Sequence, residues 1–212
     1  MEKIVFDDDT FIWKIKLNFT EFKDEILKLC NDVVNKEHLS NFDAYPYGKM
    51  QDDIDFLGNI AINNKLDEIV QLSINKCKEI HKDNGMDINM VETDAWVNIV
   101  RADSPVQPNF KEGHDKYHIH TEINKANNSF MPSYTYVYYI QMPDNLSGED
   151  AVLYFKSKNG KEYSILPNED ELLIMKADVP HAPNTAPNST KDRIVFAGNV
   201  GLKYIKKEKS LI

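Results

Sequence analysis

Apolar residues recur along this chain with two different periods, and the change from one to the other falls near residue 90. Phe11-Ile12-Trp13-Lys14-Ile15-Lys16-Leu17 alternates well enough to predict a strand. Beyond it Phe22, Ile26, Leu27, Leu29, Cys30, Val33 and Val34 fall at helical spacing and form one apolar stripe. Asn18 followed by Glu21 offers the oxygens that start such a helix by accepting from its free N–H groups. Residues 36–55 are polar and contain Pro46 and Gly48, which predicts a long irregular loop. A second helix is expected from Asn63 or Asn64 to Lys82, on an apolar face of Leu66, Ile69, Val70, Leu72, Ile74 and Ile80. Asp83-Asn84-Gly85 closes it, with the glycine free to take the left-handed conformation.

After Asp87 the chain becomes a series of β-branched and aromatic runs separated by Pro, Gly, Asn and Asp. Strands are expected over 95–100, 117–120, 133–140, 151–155, 162–166, 171–175 and 193–200, with 133–140 the richest in strand-forming residues. Short strands at this spacing suit a sandwich or a barrel. Two helices ahead of them give an α+β, mainly β, class, with the helices supporting one sheet.

Composition narrows the choice of partners. The 212 residues suffice for one substantial domain. A net charge of −9 and a pI near 5.2 argue against nucleic acid, which needs clustered Lys and Arg. The basic run from Lys203 to Lys209 reads as a solvated tail. Cys30 and Cys77 have no metal-site or redox spacing and are expected to be reduced core residues. With no apolar run of spanning length and no basic-then-apolar N-terminus, a cytoplasmic protein without membrane contact is expected.

Candidate chemistry concentrates in Tyr117-His118-Ile119-His120-Thr121-Glu122, answered by Val179-Pro180-His181 and then by Arg193. In a strand, His118, His120 and Glu122 project to one side. Imidazoles and a carboxylate converging there suit a divalent transition metal such as iron. The plain alternative is a solvated strand face, since two histidines at i, i+2 are weak evidence alone. A third histidine and an arginine in the same β-rich unit favour the metal.

The order of these parts resembles the 2-oxoglutarate- and Fe(II)-dependent oxygenases, in particular small members carried by phages and marine bacteria. It is carried over 94–201 by the strand with Trp96 and Asn98, the His-x-His or His-x-Glu turn, Tyr138-Tyr139, Leu172-Leu173-Ile174-Met175, the Val-Pro-His of His181, and Arg193-Ile194-Val195-Phe196-Ala197-Gly198-Asn199. The resemblance implies a double-stranded β-helix, or jelly roll, with iron at its open end. It divides the single domain 1–212 into a largely helical support over 1–90 and a catalytic core over 91–202. It implies His181 as the distal ligand. For the first half His118 with His120 is adopted, with Glu122 in place of His118 as the alternative and His114 as a distant third candidate. A three-histidine set would leave Fe(II) fully cationic, whereas a carboxylate would offset one charge.

By the same resemblance Arg193 would bind the far carboxylate of 2-oxoglutarate through its planar fork, with Tyr139 reaching the same group. The other reading of Arg193 is a surface residue paired with Asp192, and that of Tyr139 is core packing. Asn98 and Asn199 either face the barrel mouth or satisfy backbone groups. The implied reaction is hydroxylation of a C–H bond in a small-molecule or peptidyl substrate. The loops 103–116 and 123–132, with Phe110, Phe130 and Met131, flank the site as a lid or groove. A cupin-type metalloprotein that does not use 2-oxoglutarate is the alternative, and Arg193 is the residue that separates the two.

Overall fold

The computed structural model describes residues 1–8, 10–19, 23–34, 49–51, 60–82, 88–100, 102, 117–120 and 133–204. In chain order its elements are β1 (Glu2–Val5), β2 (Phe11–Lys16), α1 (Lys23–Val34), β3 (Lys49–Gln51), α2 (Ile60–Lys82), β4 (Ile88–Val100), β5 (Tyr134–Gln141), β6 (Leu153–Lys156), β7 (Glu162–Ile165), β8 (Glu171–Lys176), β9 (His181–Pro183) and β10 (Arg193–Tyr204). Seven strands form a major sheet in the order β1-β2-β8-β5-β10-β4-β3, and three form a minor sheet in the order β7-β6-β9. Every pairing among these strands is antiparallel. The two sheets face each other as a double-stranded β-helix.

Alternation along β5 explains how one sheet serves two cores. Tyr134, Tyr136, Tyr138 and Ile140 point outward, where Ile26 of α1 and Leu66, Ile69, Ile74 and Cys77 of α2 cover them. Both helices therefore lie on the outer face of the major sheet. Val137 and Tyr139 point inward and join Leu173, Met175 and Val195 against Leu153 and Phe155 of the minor sheet. That inner layer carries the site.

Several boundaries differ from those the pattern predicts, and pairing explains them. The polar stretch expected to be loop contains β3, whose three residues add to the edge of β4. β4 begins at Ile88, because β10 continues to Tyr204 and supplies its earlier residues with partners. α2 starts at Ile60, ahead of the two asparagines. β1 is an edge strand of mixed character, held to β2 by a turn in which Thr10 N donates to Asp7 Oδ1 at 2.7 Å. Of 117–120, His118 forms only an isolated bridge rather than a strand. The helix start at Glu21 and Phe22, the 83–85 stop, and the loops 103–116 and 123–132 lie outside the described residues.

Candidate metal centre

His118, His120 and His181 come together although a long stretch of chain separates the pair from the third. His118 and His181 face each other as an antiparallel bridge: His118 N donates to His181 O at 3.1 Å and His181 N to His118 O at 3.0 Å. His120 is held one step further, its N–H donating to Ala177 O at 2.9 Å. One ring nitrogen from each of the three lies within 4.8 Å of the others, a group that could hold a metal ion. His118 is exposed, His120 half-buried and His181 only 3% exposed, so the group runs from the surface inward with His181 the most buried of the three.

The donor chemistry fits a divalent transition metal. His181 Nδ1–H donates to Val179 O at 2.9 Å, and because a carbonyl only accepts, the lone pair is left on Nε2. Desolvation by the surrounding protein lowers the pKa of all three rings, that of His118 included although part of the residue remains exposed. His120 is pushed down to about 4 by burial and then by the neighbouring His118, and His181 falls well below its usual range by burial and by both other imidazoles. All three are therefore neutral near pH 7, as metal ligation requires. Glu122 and His114, the other candidates, lie outside the described residues.

Arg193 and Tyr139 are placed on the same inner layer. Tyr139 is the cross-strand partner of Val195, and Arg193 lies two residues before Val195 on β10. Arg193 is 5% exposed, so it is not a surface residue, and the Asp192 carboxylate accepts instead from Ala102 N at 2.8 Å. Burial pushes the guanidinium pKa down while the Tyr139 phenol beside it acts in the opposite sense. An arginine nonetheless keeps its charge at neutral pH. Its Nε–H has no hydrogen-bond partner, and no carboxylate among the described residues pairs with it. A buried cation without a partner is costly. Tyr138 points the opposite way, its hydroxyl donating to Asp170 Oδ1 at 2.9 Å.

Asn199 is also inward. It accepts at Oδ1 from Thr135 Oγ1 at 2.8 Å, and both are buried. Ser133, two residues before Thr135, donates to Val200 O and accepts from Ala177 N, the residue that holds His120. The Thr135–Asn199 pair thus lies at the end of the inner face linked to the histidines, and Arg193 at the other end. The carbonyls of Val179 and Ala177 were invisible to sequence reasoning because backbone atoms carry no residue signature.

No family model and no curated protein matches this chain. Solved structures do. A prolyl-4-hydroxylase from Pseudomonas putida superposes with a TM-score of 0.57 at 12% identity, over 91% of this chain and 92% of that one. The fold is that of the 2-oxoglutarate–Fe(II) oxygenases. A full-length Neurospora crassa protein, solved in complex with alpha-KG and 5-formyluracil, gives a TM-score of 0.58 at 13% identity over 91% and 74% of the two chains. The viral collagen prolyl hydroxylase from Paramecium bursaria Chlorella virus-1, solved with 2OG, gives 0.52 at 12% over 92% and 97%. Among the described residues no helix is long and apolar enough to cross a membrane.

Proposed function

We propose that this chain is a Fe(II)- and 2-oxoglutarate-dependent oxygenase that hydroxylates a C–H bond in a small-molecule or peptidyl substrate, with 91–202 as its catalytic core. The observation that carries this reading is the presence of two features in one β-core. A cluster of three neutral imidazoles reaches the surface, and a guanidinium without an ion-pair partner among the described residues is buried on the inner face of β10. A cupin-type metalloprotein that does not use 2-oxoglutarate would need the first feature and not the second.

His118, His120 and His181 would hold the iron. When bound, iron and 2-oxoglutarate together supply the oxidising chemistry, one oxygen atom of O2 entering succinate as CO2 leaves and the other entering the substrate C–H bond. The chain's own residues bind and orient. Arg193 donates to the far carboxylate of 2-oxoglutarate, and the Tyr139 hydroxyl donates beside it. Burial holds the Tyr139 phenol pKa above its usual value, so it stays a donor rather than an anion facing a carboxylate. Val137, Val195, Leu173 and Met175 line the inner layer with aliphatic surface that keeps water away.

The test is succinate formation from 2-oxoglutarate under air, uncoupled or stimulated by candidate peptides, in the wild type and in His181→Ala. Succinate from the wild type alone is expected. Equal succinate from both proteins would sink the assignment. Anaerobic addition of 2-oxoglutarate to the Fe(II) protein should also give a visible charge-transfer band. Tight iron binding without that band would favour the cupin alternative.

A further inference from the structure

Val195 has three polar neighbours on the inner face. Its cross-strand partner on β4 is Asn98 and its partner on β5 is Tyr139, while Arg193 precedes it by two residues. Directly paired residues share a face, and so do alternate residues of one strand. Arg193 pairs with Val100, which makes Asn98 and Arg193 diagonal neighbours on adjacent strands. Such neighbours stand about 7–8 Å apart at the backbone, within reach of a long side chain.

Two of these residues carry unmatched buried atoms of opposite kind. The Arg193 Nε–H is a donor without an acceptor, and Asn98 Oδ1 is an acceptor without a donor. They do not bond to each other. Asparagine is depleted from strands, and a buried amide oxygen left without a donor costs stability. Its place in a 13-residue strand is therefore not explained by local preference or by packing. The two ends of a side-chain amide exchange by a half-turn, and the hydrogen bonds around it decide which end faces which neighbour.

We propose that Asn98 is a specificity-determining residue for the ligand of Arg193, turning its amide so that Nδ2–H gives the ligand's far carboxylate a second, neutral donor. The inference rests on the oxygenase reading above and extends it to a residue on β4. Arg193 alone would hold many anions. With Tyr139 on one side and Asn98 on the other, donors from three adjacent strands would converge on one end group. A carboxylate has lone pairs enough to accept from all of them. The site would then select 2-oxo acids that end in a carboxylate at the correct length, over 2-oxo acids that lack one.

Calorimetric titration of the Mn(II) protein with 2-oxoglutarate and with 2-oxobutyrate tests this, in the wild type, Asn98→Ala and Asn98→Asp, with melting temperatures alongside. Asn98→Ala should weaken 2-oxoglutarate by about tenfold, as for one lost hydrogen bond to a charged carboxylate, and leave 2-oxobutyrate unchanged. The near-isosteric Asn98→Asp should place an anion beside Arg193. It should raise the melting temperature of the ligand-free protein and weaken 2-oxoglutarate more than about tenfold. That opposite movement of stability and affinity is not what a purely structural residue would give. Unchanged 2-oxoglutarate binding in Asn98→Ala, an equal loss for both acids, or an Asp variant that still binds 2-oxoglutarate as the wild type does would each overturn the proposal alone. A wild type that binds neither acid would overturn the oxygenase reading and this inference with it.

Discussion

His181 is fixed on both sides, by its backbone bridge to His118 and by its ring hydrogen bond to the Val179 carbonyl. Its Nε2 is therefore oriented before any ion arrives, which lowers the ordering cost of binding. Metal titration should find one site, with His120→Ala and His181→Ala each losing more than about a hundredfold in affinity. His118→Ala and Glu122→Ala decide between the two ligand sets. His118→Ala should lose as much as the other two, and Glu122→Ala no more than about a hundredfold, the effect of a residue that only orients an imidazole. The reverse order would make Glu122 the ligand. The histidines and Arg193 stood out in the sequence because such residues have few roles in a β-rich core. Asn98 stayed open between the barrel mouth and a backbone partner, because only register shows that it flanks Val195 opposite Tyr139.

Strand β8 joins the site to its support. Asp170, just ahead of it, takes a positive φ of 64° and is buried. Its Oδ1 accepts from Tyr138 OH at 2.9 Å and from Phe19 N at 3.2 Å, its N–H donates to Tyr139 O at 2.7 Å, and its carbonyl accepts from Leu17 N at 2.9 Å. One residue thus ties β2 and the approach to α1 to the strand that carries Tyr139. Asparagine tolerates positive φ and keeps an acceptor, so Asp170→Asn should cost about 1 kcal/mol. Asp170→Ala leaves two donors unmatched and adds backbone strain, for about 3 kcal/mol in urea unfolding. Equal costs for the two variants would refute this account. The helices α1 and α2 could be read from sequence because each buries one face, which fixes its period, while β2 showed in its alternation and β5, buried on both faces, in its run of aromatic and β-branched residues. β1, β3 and the early part of β4 could not, because a neighbouring strand recruits them and local pattern does not record that neighbour.

Across the whole molecule, the seam between the N-terminal segment and the β-core is electrostatic as well as apolar. Lys14 pairs with Glu171 at 3.1 Å and Lys23 with Glu169, while Met142 N donates to Glu169 at 3.0 Å and Asn168 N to Glu171 at 2.9 Å. Burial alone would raise both glutamates, but these partners outweigh it and hold them below their ordinary pKa of 4.5. Asp144 is likewise pulled down to about 2 by the Thr190 backbone and hydroxyl, with help from Ser189 and Lys191. Because the folded values lie below the unfolded ones, the unfolded chain takes up protons first as the solution is acidified. The stabilisation from these groups is complete above their ordinary values and is lost as pH falls through the depressed folded ones. Melting temperature should accordingly hold near neutrality and decline below the ordinary glutamate value of 4.5. Replacing both Glu169 and Glu171 by Gln should lower stability at neutral pH and flatten that decline, because fewer groups then link folding to protons. A double variant that melts with the same acid slope as the wild type would show that the seam is held by packing rather than by its carboxylates.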